Sequence, residues 1–147
     1  MPTHSEIKLM PYSAEKMYSL VADIENYSNF LPGCSAARIL RRINESDHEV
    51  VIADLVISFK VFREKFGSRV DLWPEDLKIS TAYLDGPFKH MVSKWSFKNT
   101  DNGCEVTFFV DFEFKNMVLQ RIIGVVFNEA MQRVVRAFEK RADDIYK

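Results

Sequence analysis

Hydrophobic positions along this chain change period twice, from mixed to two and then from two to about three and a half. Ser5 to Met10 alternates weakly and stops at Pro11, which predicts a first strand. Ser13 then stands where an N-cap belongs, before a helix from Ala14 to about Ala22 with Met17, Leu20 and Val21 on one face and Asp23 ending it. Asn26 is placed to cap a second short helix through Tyr27 and Phe30, closed by Pro32-Gly33. From Ala36 the period is two. Strands are expected at Ala36–Ile43, Glu49–Ile57, Phe59–Leu72, Leu77–Leu84, Lys89–Asn99 and Cys104–Phe114, joined by short polar turns and a tight connection at Ser58. Connections this short indicate an antiparallel meander. Asn116 caps a final helix, Met117 to Tyr146, whose seam reads Leu119, Ile122, Ile123, Val126, Phe127, Ala130, Met131, Val134, Phe138, Ala142 and Ile145. At 1.5 Å per residue it would be roughly 45 Å long.

Because strand residues alternate faces, each strand separates into an inward and an outward set. The last strand points Val106, Phe108, Val110, Phe112 and Phe114 one way and Glu105, Thr107, Asp111 and Glu113 the other, with Phe109 the exception. Met91, Ser93, Trp95 and Phe97 form the next inward set, and Leu77, Ile79, Thr81 and Tyr83 the third. This continuous apolar surface matches the helix seam. The expected class is α+β: a curved antiparallel sheet of about seven strands wrapped around a long C-terminal helix, with two short helices after the first strand. The strand Phe59–Val70 is irregular, because Phe62, Phe66 and Val70 share a face with Glu64 and Ser68. A carboxylate between two Phe side chains is costly unless paired, protonated or near water. Two readings stand: Glu64 projects into a hydrated cavity and accepts a hydrogen bond from a ligand head group, or the alternation slips at a bulge or edge and leaves it exposed.

Composition narrows the class. The 147 residues suit one domain, 1–147, which buries about two-thirds of the surface its unfolded form exposes. Twelve Phe against two Trp and five Tyr supply apolar area without polar handles, suiting a dense core or an oily cavity. A net charge of −1 gives no global attraction to nucleic acid or anionic membrane, and DNA is not an expected partner. Arg38, Arg41 and Arg42, and separately Arg63, Lys65 and Arg69, form either local positive patches or solvated strand edges balanced by Glu45, Asp47 and Glu49. Arg133, Arg136, Lys140 and Arg141 suit the negative end of the last helix. Cys34 and Cys104 have no paired spacing, so neither a disulfide framework nor a zinc site is expected. No run reaches transmembrane length and the first residues lack a signal-like pattern. A cytoplasmic protein is expected, with a peripheral station at the inner membrane as the second expectation.

Catalytic chemistry is sparse. His4, His48 and His90 are not spaced for a shared metal, no nucleophile sits in a recognisable elbow, and five Gly leave no phosphate loop. Cys34, after Pro32-Gly33, reads as an inert thiol. No enzyme activity, cofactor or metal is expected.

Several blocks together resemble one family. They are Pro11-Tyr12-Ser13, Met17-Tyr18, Leu20 through Tyr27, Phe30-Leu31-Pro32-Gly33-Cys34, Phe59 through Phe66, Asp85-Gly86-Pro87-Phe88-Lys89-His90-Met91 with Trp95, and Phe112-Glu113-Phe114-Lys115. The chain is similar across nearly its whole length to the coenzyme Q-binding protein COQ10 / ribosome association toxin RatA family, of the helix-grip, START-like fold. Gly33 departs from it, since many relatives carry an aromatic there, and this would widen the loop over the cavity mouth.

The resemblance implies a non-catalytic cavity between sheet and long helix that holds a polyprenyl quinone, with ubiquinone as bound ligand rather than cofactor. It equally implies, as the alternative, a toxin that binds the large ribosomal subunit and blocks subunit joining, and fold does not choose between these. On the carrier reading the mouth is expected at Phe30, Leu31 and the rest of the segment to Cys34, the Gly86-Pro87-Phe88 turn, and the first turns of the long helix around Leu119 and Ile123. The expected walls are Phe62, Phe66, Tyr83, Trp95, Phe108, Phe112 and Phe127, with Glu64 near a head group. Gly86-Pro87 would bring Phe88 to the rim and leave Lys89 and His90 at the wet edge. Met117, Val118 and Leu119 could touch a membrane during transfer, but inward packing is the simpler expectation for them.

Overall fold

The chain folds as β1 (Thr3–Met10), α1 (Ala14–Ala22), a 3-10 helix (Ile24–Asn29), β2 (Cys34–Asn44), β3 (Glu49–Phe59), β4 (Phe62–Trp73), β5 (Lys78–Asp85), β6 (Phe88–Thr100), β7 (Gly103–Phe114) and α2 (Met117–Tyr146). A computed structural model describes residues 3–59 and 62–146. Expectations placed on Lys60, Val61 and the Phe62 side chain lie outside the described residues.

All seven strands join one antiparallel sheet in the order β1-β7-β6-β5-β4-β3-β2. The meander from β2 to β7 follows from its short turns. β1 closes the far flank by pairing with β7, Thr3 opposite Asp111 and Met10 opposite Cys104. The alternation in β7 holds without a break: every even residue from Cys104 to Phe114 is buried and none of the odd ones is.

Helix ends are set by side chains. Ser13 Oγ accepts from Lys16 N at 3.2 Å, and Asn99 Oδ1 on β6 accepts from Ala14 N at 2.8 Å, which fastens α1 to the sheet. Asn116 Oδ1 accepts from Val118 N and Leu119 N, so it caps α2 as its sequence position implies. The second short helix starts earlier than expected and is 3-10, because Asp23 rather than Asn26 begins it: Asn26 N donates to Asp23 O, and Asn26 Nδ2 to Asp23 Oδ2. β5 starts one residue late because Leu77 is held in the left-handed region at φ 53°, turning the chain out of Trp73. β2 begins two residues early, at Cys34, with register irregularities at Cys34/Ala36 and Ile39/Arg41.

The helix seam is rotated from its sequence reading. Leu119, Phe127, Val135, Phe138 and Ala142 are buried, whereas Ile122 and Ile145 face solvent. Val135 was absent from the expected seam because Val134 beside it satisfied the same spacing. Four ties bind α2 to the start of the chain. His4 Nδ1 lies 3.3 Å from Asn128 Oδ1, and Lys8 Nζ lies 3.2 Å from Glu139 Oε1. Tyr12 Oη donates to Asp143 at 2.5 Å, and Tyr146 Oη to Lys16 O at 2.9 Å.

The Tyr12–Asp143 bond pushes the Tyr12 phenol from its ordinary 10 up to about 12, chiefly through that hydrogen bond. A folded-state value above the unfolded one means that the contribution is complete below pH 10 and disappears as pH rises toward 12. Tyr18, raised to about 12 mainly by burial, adds to the same loss. Tyr12→Phe is therefore expected to flatten, without abolishing, the fall of thermal stability between pH 10 and 12. Melting curves at stepped pH would show whether the variant tracks wild type instead.

Candidate functional site

The concave side of the sheet faces α2, but the helix lies closest to β1, β7 and α1. The inner faces of β3 to β5 are buried at Val51, Ala53, Ser68, Val70 and Ile79 and less completely covered toward the β3–β4 connection. There Leu55 and Ile57 on β3 and Tyr83 on β5 are only partly buried, as are Met91 on β6 and Ile123 and Met131 on α2.

Aromatic side chains fill the interior in two linked groups. Phe88 centres the first: its ring lies 5.2 Å from Phe66, 5.4 Å from Tyr83, 5.7 Å from Phe112 and 4.7 Å from Phe114. Phe112 passes the contact to Phe127 on α2 at 4.7 Å. The second group gathers on Phe138, with Trp95 at 5.1 Å, Phe30 at 5.2 Å and Tyr27 at 5.5 Å, while Trp95 stacks on Phe108 at 4.3 Å. His4 bridges the groups, between Phe108 and Phe127. Edge-to-face and offset rings at these spacings attract beyond their buried area.

This arrangement alters several expected placements. Phe88 does not sit at the rim; it is buried at the centre of its group, while Lys89 and His90 do stay outside, paired with Glu113 and Asp111 at 3.3 Å each. Phe30 does not share a mouth with Phe88 and the first turns of α2. It packs on Phe138, with Arg141 Cζ 5.3 Å from its ring, 21 positions and roughly 30 Å further along the helix than Met117. Leu31, next to it, is half-buried against the same core. Phe66, Phe112, Leu119 and Phe127 belong to one hydrophobic cluster with Trp95 and Phe108, and the partly buried Tyr83 and Ile123 pack against it. Met117 and Val118 turn outward and only Leu119 packs in, so inward packing fails for the first two.

Glu64 fits neither of its readings whole. β4 keeps an unbroken register with β3, Glu64 opposite Ile57, so the side chain remains on the face of Phe66 and Val70. The single register shift lies on the other flank, between Gly67 and Ser68, where pairing with β5 ends at Asp85. Beyond Gly67, β4 has no pairing to β5, and Glu64 is half-buried beside that open flank.

The polar atoms of this interior are few. The Tyr83 hydroxyl is buried and has no hydrogen-bond partner among the described residues. An unpaired buried hydroxyl costs about 1–3 kcal/mol. Ser68, fully buried on the same face, donates to Ala53 O at 3.4 Å. His4 is nine-tenths buried, with Nε2 2.9 Å from Glu6 Oε1. Its inward position could have been read from the shared face of His4, Glu6, Lys8 and Met10. Burial pushes the Cys34 thiol up, against a weaker opposing effect of its bond to Ala36 O, which keeps it protonated. No group of three metal-ligating side chains comes together among the described residues.

Two clefts lie outside this interior. One, of about 310 Å³, opens between α1 and the far end of β2 to β4, around Tyr18, Asp23, Arg42, Glu49, Leu72 and Pro74. The other, of about 320 Å³, crosses the outer face of β5, β6 and β7 and is lined by Lys78, Ser80, Lys94, Ser96, Thr107 and Phe109. Of the basic clusters, Arg42 pairs with Glu49 and Glu25, Lys65 with Asp54, and Arg69 with Asp71, so carboxylates offset much of both.

Comparison with known proteins places this architecture. Residues 10–139 match the family described as polyketide cyclase / dehydrase and lipid transport, and the chain belongs to it. Within it the chain groups with proteins named for RatA and COQ10. It is 39% identical to the ribosome association toxin RatA of Rickettsia prowazekii over the full length of both. It is 32% identical to the mitochondrial coenzyme Q-binding protein COQ10 homolog B of Xenopus laevis, over 97% of this chain and 59% of that protein. The fold is START-like: a START superfamily protein from Mycobacterium smegmatis superposes with a TM-score of 0.81 at 21% identity, covering 97% of this chain and 98% of that one. Among the described residues no helix is long and apolar enough to cross a membrane.

Phe138 distinguishes a solid deep end from a lined cavity. If that end is core, Phe138→Ala removes the ring that joins Trp95, Phe30 and Tyr27, and unfolding free energy should fall by about 3–5 kcal/mol. Denaturant titration measures this, and a loss below about 1 kcal/mol would mean that the ring borders free space.

Proposed function

We propose that the chain binds a polyprenyl quinone, ubiquinone, between the sheet and the first half of α2, and carries or chaperones it without transforming it. The carrying observation is the Tyr83 hydroxyl, buried and unpartnered beside Phe88. A quinone carbonyl supplies the acceptor that this hydroxyl lacks, and its planar ring suits the edges and faces of Phe66 and Phe88. The isoprenoid tail would lie on the half-buried surface of Leu55, Met91, Ile123 and Met131, where the flexible Met side chains adapt to its shape. Glu64, at the open flank of β4, is where a second ring oxygen or its bound water would reach solvent. The lipid-transport description of the family and the name of the COQ10 relative support this reading. Loading and release imply transient contact with the membrane that holds the quinone.

Tyr83→Phe separates ligand binding from folding. Without ligand, the variant should be at least as stable as wild type, because it removes an unsatisfied hydroxyl. Its affinity for ubiquinone should fall about three- to tenfold, the worth of one neutral hydrogen bond. Fluorescence titration with a short-chain ubiquinone gives the affinity. Unchanged affinity would end the head-group role, and protein that takes up no quinone at all would end the carrier reading.

A second reading is favoured by the outer cleft. Lys78 and Lys94 sit diagonally across β5 and β6, where Lys78 pairs with Ser96 and Ser80 with Lys94, and Phe109 lies beside Lys94. Two ammonium groups, three hydroxyls and an aromatic face could hold an exposed loop of ribosomal RNA through phosphate contacts and base stacking. The name of the RatA relative points the same way. On this reading, overexpressed wild type raises the free-subunit peaks in ribosome profiles, and Lys78→Glu with Lys94→Glu restores joined ribosomes. Profiles that wild type leaves unchanged would remove it.

A further inference from the structure

From Met117 to Phe127, eight of eleven residues are Met, Val, Leu, Ile or Phe, distributed around the whole helix. A helix that is apolar all round is ordinarily covered all round. Here only one side is. Leu119, Ile123 and Phe127 face the interior, while Val118 is 68% exposed, Ile122 43% and Val125 86%, at positions i, i+4 and i+7 of a single outer stripe. Met117, 72% exposed, extends the stripe to the end of the helix. A contiguous apolar strip of this kind marks an interaction surface.

Its charges select the occupant. Between Phe114 and Glu129 the chain carries Lys115 and Arg121 and no carboxylate, although the protein as a whole has a net charge of −1. Lys115 and Arg121 are both exposed, and Lys115 N donates to Pro87 O at 2.9 Å, which sets the Gly86-Pro87 turn beside the start of the stripe. A second copy docking in parallel through the same stripe would bring Arg121 and Lys115 toward their own counterparts, and in the antiparallel arrangement Lys115 would meet only Glu129, which Arg133 already engages at 3.0 Å. An anionic bilayer offers the opposite charge to both cations and an apolar layer to Val118, Ile122 and Val125. The outer side of these turns is open: the ties of the helix to the first sixteen residues fall at Asn128 or beyond, Gln120 Oε1 accepts from Phe114 N on the sheet side, and an added Cβ at Gly124 would meet nothing within 4 Å.

We infer that the outer face of Met117–Val125 is a docking surface for an anionic lipid bilayer, seated by Val118, Ile122 and Val125 and oriented by Lys115 and Arg121. This rests on the carrier reading, to which it adds the surface and the lipid charge: the same two helical turns would line the ligand space inside and meet the membrane outside, giving a quinone a short apolar path between them.

Flotation with quinone-free vesicles tests it on the full chain. Wild type is expected to bind phosphatidylcholine vesicles containing phosphatidylglycerol, and to bind pure phosphatidylcholine at least about fivefold less, with the difference shrinking as salt rises. Val118→Ser, Ile122→Ser and Val125→Ser together should weaken binding to the anionic vesicles at least about tenfold. Arg121→Glu should weaken it at least about fivefold, and serves alone if the triple variant does not fold. Circular dichroism and thermal melting of Arg121→Glu should match wild type, since its side chain is exposed. Wild type that ignores lipid charge, or variants that float as wild type does, would overturn the inference. So would a wild-type dimer that these substitutions dissociate, if the protein does not float. Because the vesicles hold no quinone, a protein that floats but takes up no ubiquinone strikes the carrier reading and leaves the docking surface standing.

Discussion

The structure depends on how α2 is fastened. Among the described residues, the side-chain ties between the helix and the first sixteen residues all fall at Asn128 or beyond: Asn128 to His4, Glu139 to Lys8, Asp143 to Tyr12 and Tyr146 to Lys16. Each is modest alone, and the partly exposed Lys8–Glu139 ion pair is worth about 1 kcal/mol. Their common placement matters more than their sum, because they draw the helix toward the β1–β7 flank of a curved sheet. On the opposite flank, the end of β3 to β5 that carries Leu55, Ile57 and Tyr83 is only partly covered.

That asymmetry divides the interior into two ends with different physical character. Beneath the tied half, Phe138 is enclosed by Trp95, Phe30 and Tyr27, and the Tyr27 hydroxyl is satisfied by Val21 O. Beneath the untied half, Phe88 holds a comparable aromatic group, but the adjoining tyrosine hydroxyl on Tyr83 has no partner among the described residues. Two tyrosines in similar aromatic company thus differ in one hydrogen bond. A second buried atom without a partner among the described residues, Arg141 Nε, lies at the tied end against Phe30, whereas the Tyr83 hydroxyl stands where a ligand could relieve its cost.

Much of the architecture was legible because it follows from period alone. Strand alternation separates the inward and outward sets of β7 without error, and the Ser13 and Asn116 caps lie where their side chains can reach unpaired amides. What escaped depends on curvature and rotation. Phe30 and Phe88 both look like rim residues in sequence, but the bend of the sheet sends one to Phe138 and the other to Phe112. Ile122 and Val135 exchanged roles because two adjacent apolar residues can satisfy the same helical spacing, and only the direction of pull from β1 decides which turns in. His4 falls just before the strand expected from Ser5, although its alternation with Glu6, Lys8 and Met10 is what turns it inward. Glu64 shows a further limit: sequence offered a bulge, and the bulge exists, but on the flank facing β5, where it leaves the direction of Glu64 unchanged.

The two functional readings occupy opposite sides of one sheet. The quinone reading uses the concave face, where polar atoms are scarce and one is unsatisfied. The ribosome reading uses the convex face, where Lys78 and Lys94 have no ion-pair partner among the described residues, unlike Arg42, Lys65 and Arg69. Nothing makes the faces mutually exclusive, since alternate residues of the same strands serve each: Trp95 points in while Lys94 and Ser96 point out. The strands therefore impose no trade between the two surfaces. A substitution on one face should leave the other intact, which is why the readings can be separated residue by residue although they share a backbone.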